Sequence, residues 1–194
     1  MPLVRSSAAF TQMCWRRIDA AGLELLALAR VADGFHAESS VICGWNGGFR
    51  VDHAWQLTPD WRALSLRIER RDADGRRTLL LERAGGGWRV DGVRRADLDG
   101  AEEPDLSVTP FCNTLIVRKI PAREGASLTV DTAYVNGDDL TVARSRQRYD
   151  YKAPGRLRYI DQGLFAGFEA DLLVDEEGLV RHYQHLFERV DLDT

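Results

Sequence analysis

Residues 63–75 read Ala63-Leu64-Ser65-Leu66-Arg67-Ile68-Glu69-Arg70-Arg71-Asp72-Ala73-Asp74-Gly75. Along an extended chain Leu64, Leu66 and Ile68 face one way. Ser65, Arg67, Glu69 and Arg71 face the other, the period-2 pattern of a strand with one buried face. The Asp-Gly at its end supplies a residue that tolerates positive φ, as a tight hairpin needs. A strand closed by so short a turn pairs with an antiparallel neighbour, because parallel pairing needs a long crossover.

The same unit recurs on both sides. Turn chemistry at Asp33-Gly34, Asn46-Gly47-Gly48, Gly85-Gly86-Gly87, Asp91-Gly92, Asn136-Gly137, Pro154-Gly155 and Glu177-Gly178 leaves segments of strand length. Alternation returns in Ser127–Asn136, in Ala143–Lys152 and in Phe168–Asp175. In the second of these, Arg144, Arg146, Arg148, Asp150 and Lys152 oppose Ser145, Gln147, Tyr149 and Tyr151. Leu23–Arg30 is apolar on both faces and reads as a strand buried on both sides. Thr109-Pro110-Phe111 places proline in the first helical turn after a capping hydroxyl, and predicts a short helix over Thr109–Leu115. The acidic run Asp97–Asp105 reads as the loop leading into it. The fold class is therefore mainly β, one domain over 1–194, a long antiparallel meander with one short helix. A sheet of ten or more strands curls, and its concave side is where a ligand would sit.

Composition bounds the chemistry. The chain has 194 residues, 44% of them apolar and 29% charged, which is ordinary for a folded domain. Twenty-six basic residues, only two of them lysine, against thirty acidic ones give a net charge of −4. That balance argues against nucleic acid as a partner. No apolar run is long enough for a membrane span or a signal-peptide core. Cys14, Cys43 and Cys112 are widely spaced, odd in number and without a CxxC, which predicts reduced, buried thiols and a cytoplasmic location. No Gly-rich nucleotide loop, nucleophile elbow or metal-ligand pattern is present, so neither a cofactor nor a metal is expected.

An ordered set of short motifs adds a resemblance. It comprises Asp60-Trp61, Gly87-Trp88-Arg89-Val90-Asp91-Gly92 and the run Pro104-Asp105-Leu106-Ser107-Val108-Thr109-Pro110-Phe111-Cys112-Asn113-Thr114-Leu115. Ile116-Val117-Arg118-Lys119, Ala133-Tyr134-Val135, Gln147-Arg148-Tyr149, Phe168, Val174-Asp175, Gly178-Leu179-Val180 and Tyr183 complete it. From Trp15 onward the chain resembles the bacterial family labelled putative glycolipid-binding. The resemblance implies a spiral β-roll, two strongly curved antiparallel sheets around an interior groove, and non-catalytic binding of an amphiphile. The chain departs from the family run TPFTNT at Cys112, which excludes that thiol as a nucleophile shared by the family, and Ile116 stands where the family has proline.

On this basis the candidate ligand-binding residues are Trp61, Asn113, Arg118, Tyr134, Arg148, Tyr149 and Tyr159. The tyrosines would line the groove, offering apolar faces and a polar tip. Trp61, Asn113, Arg118 and Arg148 would contact the polar end, the arginines through bidentate pairing with a phosphate or carboxylate. The expected partner is a glycolipid or similar amphiphilic small molecule, with room left for a homodimer. Two alternatives stand beside this reading. One is a hydrolase of a carbohydrate or lipid ester with Asp171 and Asp175 as acid–base groups. The other is a ligand-free protein-interaction module.

Overall fold

The computed structural model describes residues 10–192. The first eight strands are β1 (Phe10–Arg17), β2 (Gly22–Val31), β3 (Gly34–Cys43), β4 (Phe49–Leu57), β5 (Ala63–Asp72), β6 (Gly75–Ala84), β7 (Gly87–Val90) and β8 (Val93–Arg95). A single 3₁₀ turn, Ala96–Leu98, leads to β9 (Ala101–Leu106) and the only α-helix among the described residues, α1 (Phe111–Val117). Then follow β10 (Ser127–Val135), β11 (Val142–Ala153), β12 (Arg156–Asp161), β13 (Glu169–Val174), β14 (Val180–Tyr183) and β15 (Phe187–Val190).

All fifteen strands belong to one sheet, in the order β8-β7-β6-β5-β4-β3-β2-β1-β15-β14-β13-β12-β11-β10-β9. The architecture is mainly β, a curved meander with one helix, and it is not closed. It is a single continuous sheet rather than the two sheets that the resemblance implies. Chain-adjacent strands pair antiparallel throughout except at β9, which pairs parallel to β10 across the helical crossover. The acidic run therefore contains a strand, not only a loop. Pro104 is tolerated there because β9 is an edge strand and owes no further donor.

The sheet folds over so that its two halves meet. Glu103 on β9 is fully buried and accepts from Ala63 N at 2.8 Å, Arg83 at 3.1 Å and Lys119 Nζ at 2.7 Å. The Trp88 indole donates to the Ala101 carbonyl at 2.9 Å, and the Trp45 indole to Asp138 at 2.8 Å. These contacts tie β5, β6 and β7 to β9, and the β3–β4 turn to the β10–β11 turn.

Helix α1 lies inside the fold, with all seven residues buried. Phe111, Cys112 and Leu115 join the larger core, built mainly from the first nine strands, whereas Ile116 and Val117 join the core of the last six. It begins two residues later than the sequence suggests: the Thr109 hydroxyl accepts from Phe111 N at 3.1 Å, and the helix runs on to Val117. Strand β2 also differs from expectation. Only one of its faces is buried, and that face carries Glu24, while Leu23 and Leu25 are exposed. Glu24 Oε1 accepts from the Ser39 and Thr109 hydroxyls, both at 2.8 Å, and lies 3.1 Å from His53 Nε2. In β5 the alternation breaks once. Gln56 and Leu57 of β4 face Ser65 and Ala63, so Leu64 is left out of register and turns to solvent.

Candidate functional site

Gln147 and Tyr149 lie on the inward face of β11, Tyr159 and Asp161 on that of β12, and β9 delivers Asp105 beside them. Their side chains meet beneath α1 in one polar cluster. Asn113 of the helix donates to the Tyr149 hydroxyl at 2.9 Å, which in turn donates to Gln147 Oε1 at 3.1 Å. Gln147 Nε2 donates to Asp105 Oδ2, and the Cys112 thiol donates to Asp105 Oδ1 at 3.0 Å. Tyr159 donates to Asp161 Oδ2 at 3.0 Å, while the backbone N–H groups of Gly163 and Phe165 hold Asp161 Oδ1 at 2.8 and 3.0 Å. That last geometry requires glycine at 163, where a Cβ would fall 2.5 Å from Arg146 N.

Above this cluster opens a cavity of about 380 Å³. Asp105, Asn113, Asp161 and Tyr183 form its deep polar end, and Tyr134, Phe165, Phe168, Leu186 and Phe187 give it apolar walls. The rings form two groups. Tyr134 meets Phe165 at 5.4 Å between centroids, Tyr149 meets Tyr159 at 5.2 Å, and Tyr183 meets Tyr159 at 5.7 Å and Phe187 at 6.3 Å. Phe165 and its neighbour Leu164 are half exposed on the loop after β12, at the mouth. Arg17 also borders the mouth, but its guanidinium is chelated by Asp19 at 2.8 and 2.7 Å and stacks over Trp45 and Phe187.

Burial dominates the electrostatics. It pushes the Tyr134 hydroxyl up to about 12 and also raises those of Tyr149, Tyr159 and Tyr183 well above the ordinary phenol range, so all four are neutral hydrogen-bonding groups. The Cys112 thiol is raised by burial and by Asp105 beside it, and is no nucleophile. Asp105 is raised by burial and by the charge of Asp161, against the lowering effect of its two hydrogen bonds. It keeps partial exposure although protein surrounds it, because the cavity reaches it.

Four of the seven residues singled out in the sequence meet here: Asn113, Tyr134 and Tyr159 border the cavity, and Tyr149 lies behind Asn113. Trp61 and Arg118 come together elsewhere. The Trp61 ring is buried against Phe35 at 4.5 Å and Phe111 at 6.5 Å, and the Arg118 guanidinium lies 4.3 Å above it. Arg118 also donates to the Glu177 carbonyl. Arg148 is on the outward face of β11, paired with Asp150 at 2.7 Å. The structure thus takes Trp61, Arg118 and Arg148 out of the cavity and gives each a local partner. Asp171 is exposed and paired with Arg158 at 2.9 Å, and Asp175 holds Arg189 at 2.7 Å and caps the following turn through Leu179 N. Both carboxylates are engaged in structure. Sequence reasoning passed over Asp161, whose Asp-Gln-Gly turn is readable, and Asp105, Phe168 and Tyr183, which belong to the quoted motifs.

The comparisons with known proteins agree with this architecture. A family model described as "Putative glycolipid-binding" matches residues 12–189. A crystal structure of a DUF1089 family protein from Pseudomonas aeruginosa is similar, with 28% sequence identity over 91% of this chain and 95% of that one, at a TM-score of 0.77. No curated protein matches the sequence. With its model spanning nearly the whole described chain and its fold shared by that solved relative, the chain belongs to the family described as Putative glycolipid-binding.

Proposed function

We propose that the protein binds a glycolipid or similar amphiphile, without catalysis, in the cavity between α1 and strands β9–β15, as one domain in a reducing, cytoplasmic setting. The observation that carries this reading is the cavity itself. About 380 Å³ lies within the range of small-molecule sites, and the space has an aromatic wall and a few convergent polar groups at one end. Rings of this kind stack on sugar faces and pack along acyl chains. The deep end is polar and the mouth apolar, so the headgroup enters first and the chain trails past Phe165 and Leu164. The three free, buried cysteines suit the compartment.

Native mass spectrometry after incubation with a bacterial lipid extract tests the reading. A discrete adduct, displaced by octyl glucoside, is expected. A spectrum that stays ligand-free at every lipid concentration would overturn it.

A further inference from the structure

The deep end of the cavity holds two carboxylates, Asp105 and Asp161, and their partners are all neutral: a thiol, an amide, a phenol and two backbone N–H groups. The one cation bordering the cavity among the described residues, Arg17, is already chelated by Asp19 at the mouth. Buried negative charge without a cation is costly, and neutral donors offset only part of that cost. A second observation points to a missing partner. Tyr183 is 6% exposed, borders the cavity and lies close enough to Asp105 and Asp161 to feel their charge, yet its hydroxyl makes no hydrogen bond among the described residues.

We propose that the polar end of the ligand carries a protonated amine, seated between Asp105 and Asp161 with the Tyr183 hydroxyl as a further partner. The proposal rests on the reading of the cavity as an amphiphile site and names the headgroup class it takes. An ammonium supplies the positive charge that a neutral sugar lacks, and the faces of Tyr159 and Tyr183 stabilise it further. A phosphate or sulfate at the same place meets two like charges. Cation binding favours ionised Asp105, so association weakens as pH falls through the raised titration of Asp105. The other groups facing Asp105 do not compete: Cys112, Tyr149, Tyr159 and Tyr183 hold their protons, and Asp161 adds charge of the same sign.

Titration calorimetry on the full chain uses three probes with the same tail: octyl glucoside, octyl glucosaminide and octylammonium. The glucosaminide is expected to bind at least about tenfold tighter than the glucoside, a difference of the size one charge-assisted contact gives. Octylammonium that matches the glucosaminide assigns recognition to the ammonium alone, and weaker binding gives the sugar hydroxyls a share. Asp105→Asn should erase the preference for the glucosaminide over the glucoside. Tyr183→Phe should weaken the glucosaminide severalfold. Glucoside binding as tight as glucosaminide binding, or an unchanged preference in Asp105→Asn, overturns the proposal and leaves the amphiphile reading standing. Failure of every probe and of the lipid extract brings down the amphiphile reading instead. Should Asp105→Asn not fold, wild-type titrations with octylammonium over a series of falling pH decide the matter: affinity that falls in acid while glucoside affinity holds supports the proposal, and affinity that holds throughout overturns it.

Discussion

Trp61 has φ of +64°, in the left-handed region that a bulky residue rarely enters. It is held there by its N–H donating to Thr58 O at 2.9 Å and by its ring, wedged between Phe35, Phe111 and Arg118. Conformational strain of about 1–2 kcal/mol is offset by burying one of the largest side chains in the fold. Trp61→Ala keeps the strained backbone and loses the ring, so it should cost about 3–4 kcal/mol, read as a large fall in the thermal melt. Amphiphile affinity of the folded fraction should be unchanged. An unchanged melt with lost binding would return Trp61 to the ligand site. At this scale the sequence offered candidate aromatics and polar residues but not where they gather. Gln147-Arg148-Tyr149 is one motif, yet strand alternation sends Gln147 and Tyr149 to the cavity cluster and Arg148 to solvent. Glu24, flanked by leucines, shares the buried face of its strand with Leu26 and Leu28 because Ser39, His53 and Thr109 reach it from other elements.

Among the elements, α1 is the one whose removal would dissolve the site. A helix of two turns cannot sustain itself, and its stability comes from packing on both cores. It forms the roof of the cavity and presents Asn113 to Tyr149. Leu115→Ala, at a fully buried position, should cost about 3 kcal/mol. It should also weaken octyl glucoside binding in the folded protein, because the helix that positions Asn113 is loosened. Equal affinity in the variant would show that the roof is dispensable. The helix was legible from Thr109-Pro110, as were the strands with clean alternation. Strand β9 was not. Its Glu102-Glu103-Pro104-Asp105 looks like a loop, and it becomes a strand only because Arg83 and Lys119 meet Glu103 and because Asp105 finds neutral donors in the interior.

For the whole molecule, the weakest line should be the place where the sheet's two ends face each other without backbone pairing. Glu103 bridges that line, and Glu103→Ala would leave the Ala63 N–H without its acceptor and take the buried carboxylate from Arg83 and Lys119, which keep only backbone carbonyls and Glu102. A loss of about 3 kcal/mol is expected, checked by denaturant unfolding, and an effect near zero would mean that the indole contacts of Trp88 and Trp45 suffice. The curl itself was foreseeable, since so many strands cannot stay flat. The path was not, because no local signal tells β1 that its second neighbour is β15. That pairing, Cys14 against Val190 and Arg17 against Phe187, has a consequence during synthesis. As the polypeptide leaves the ribosome, the first eight strands can assemble in order, each on the one before, but β1 stays an open edge until the last strand has been made. Until then the nascent chain carries an adhesive flank, and β15, four residues long, is the piece that finally covers it.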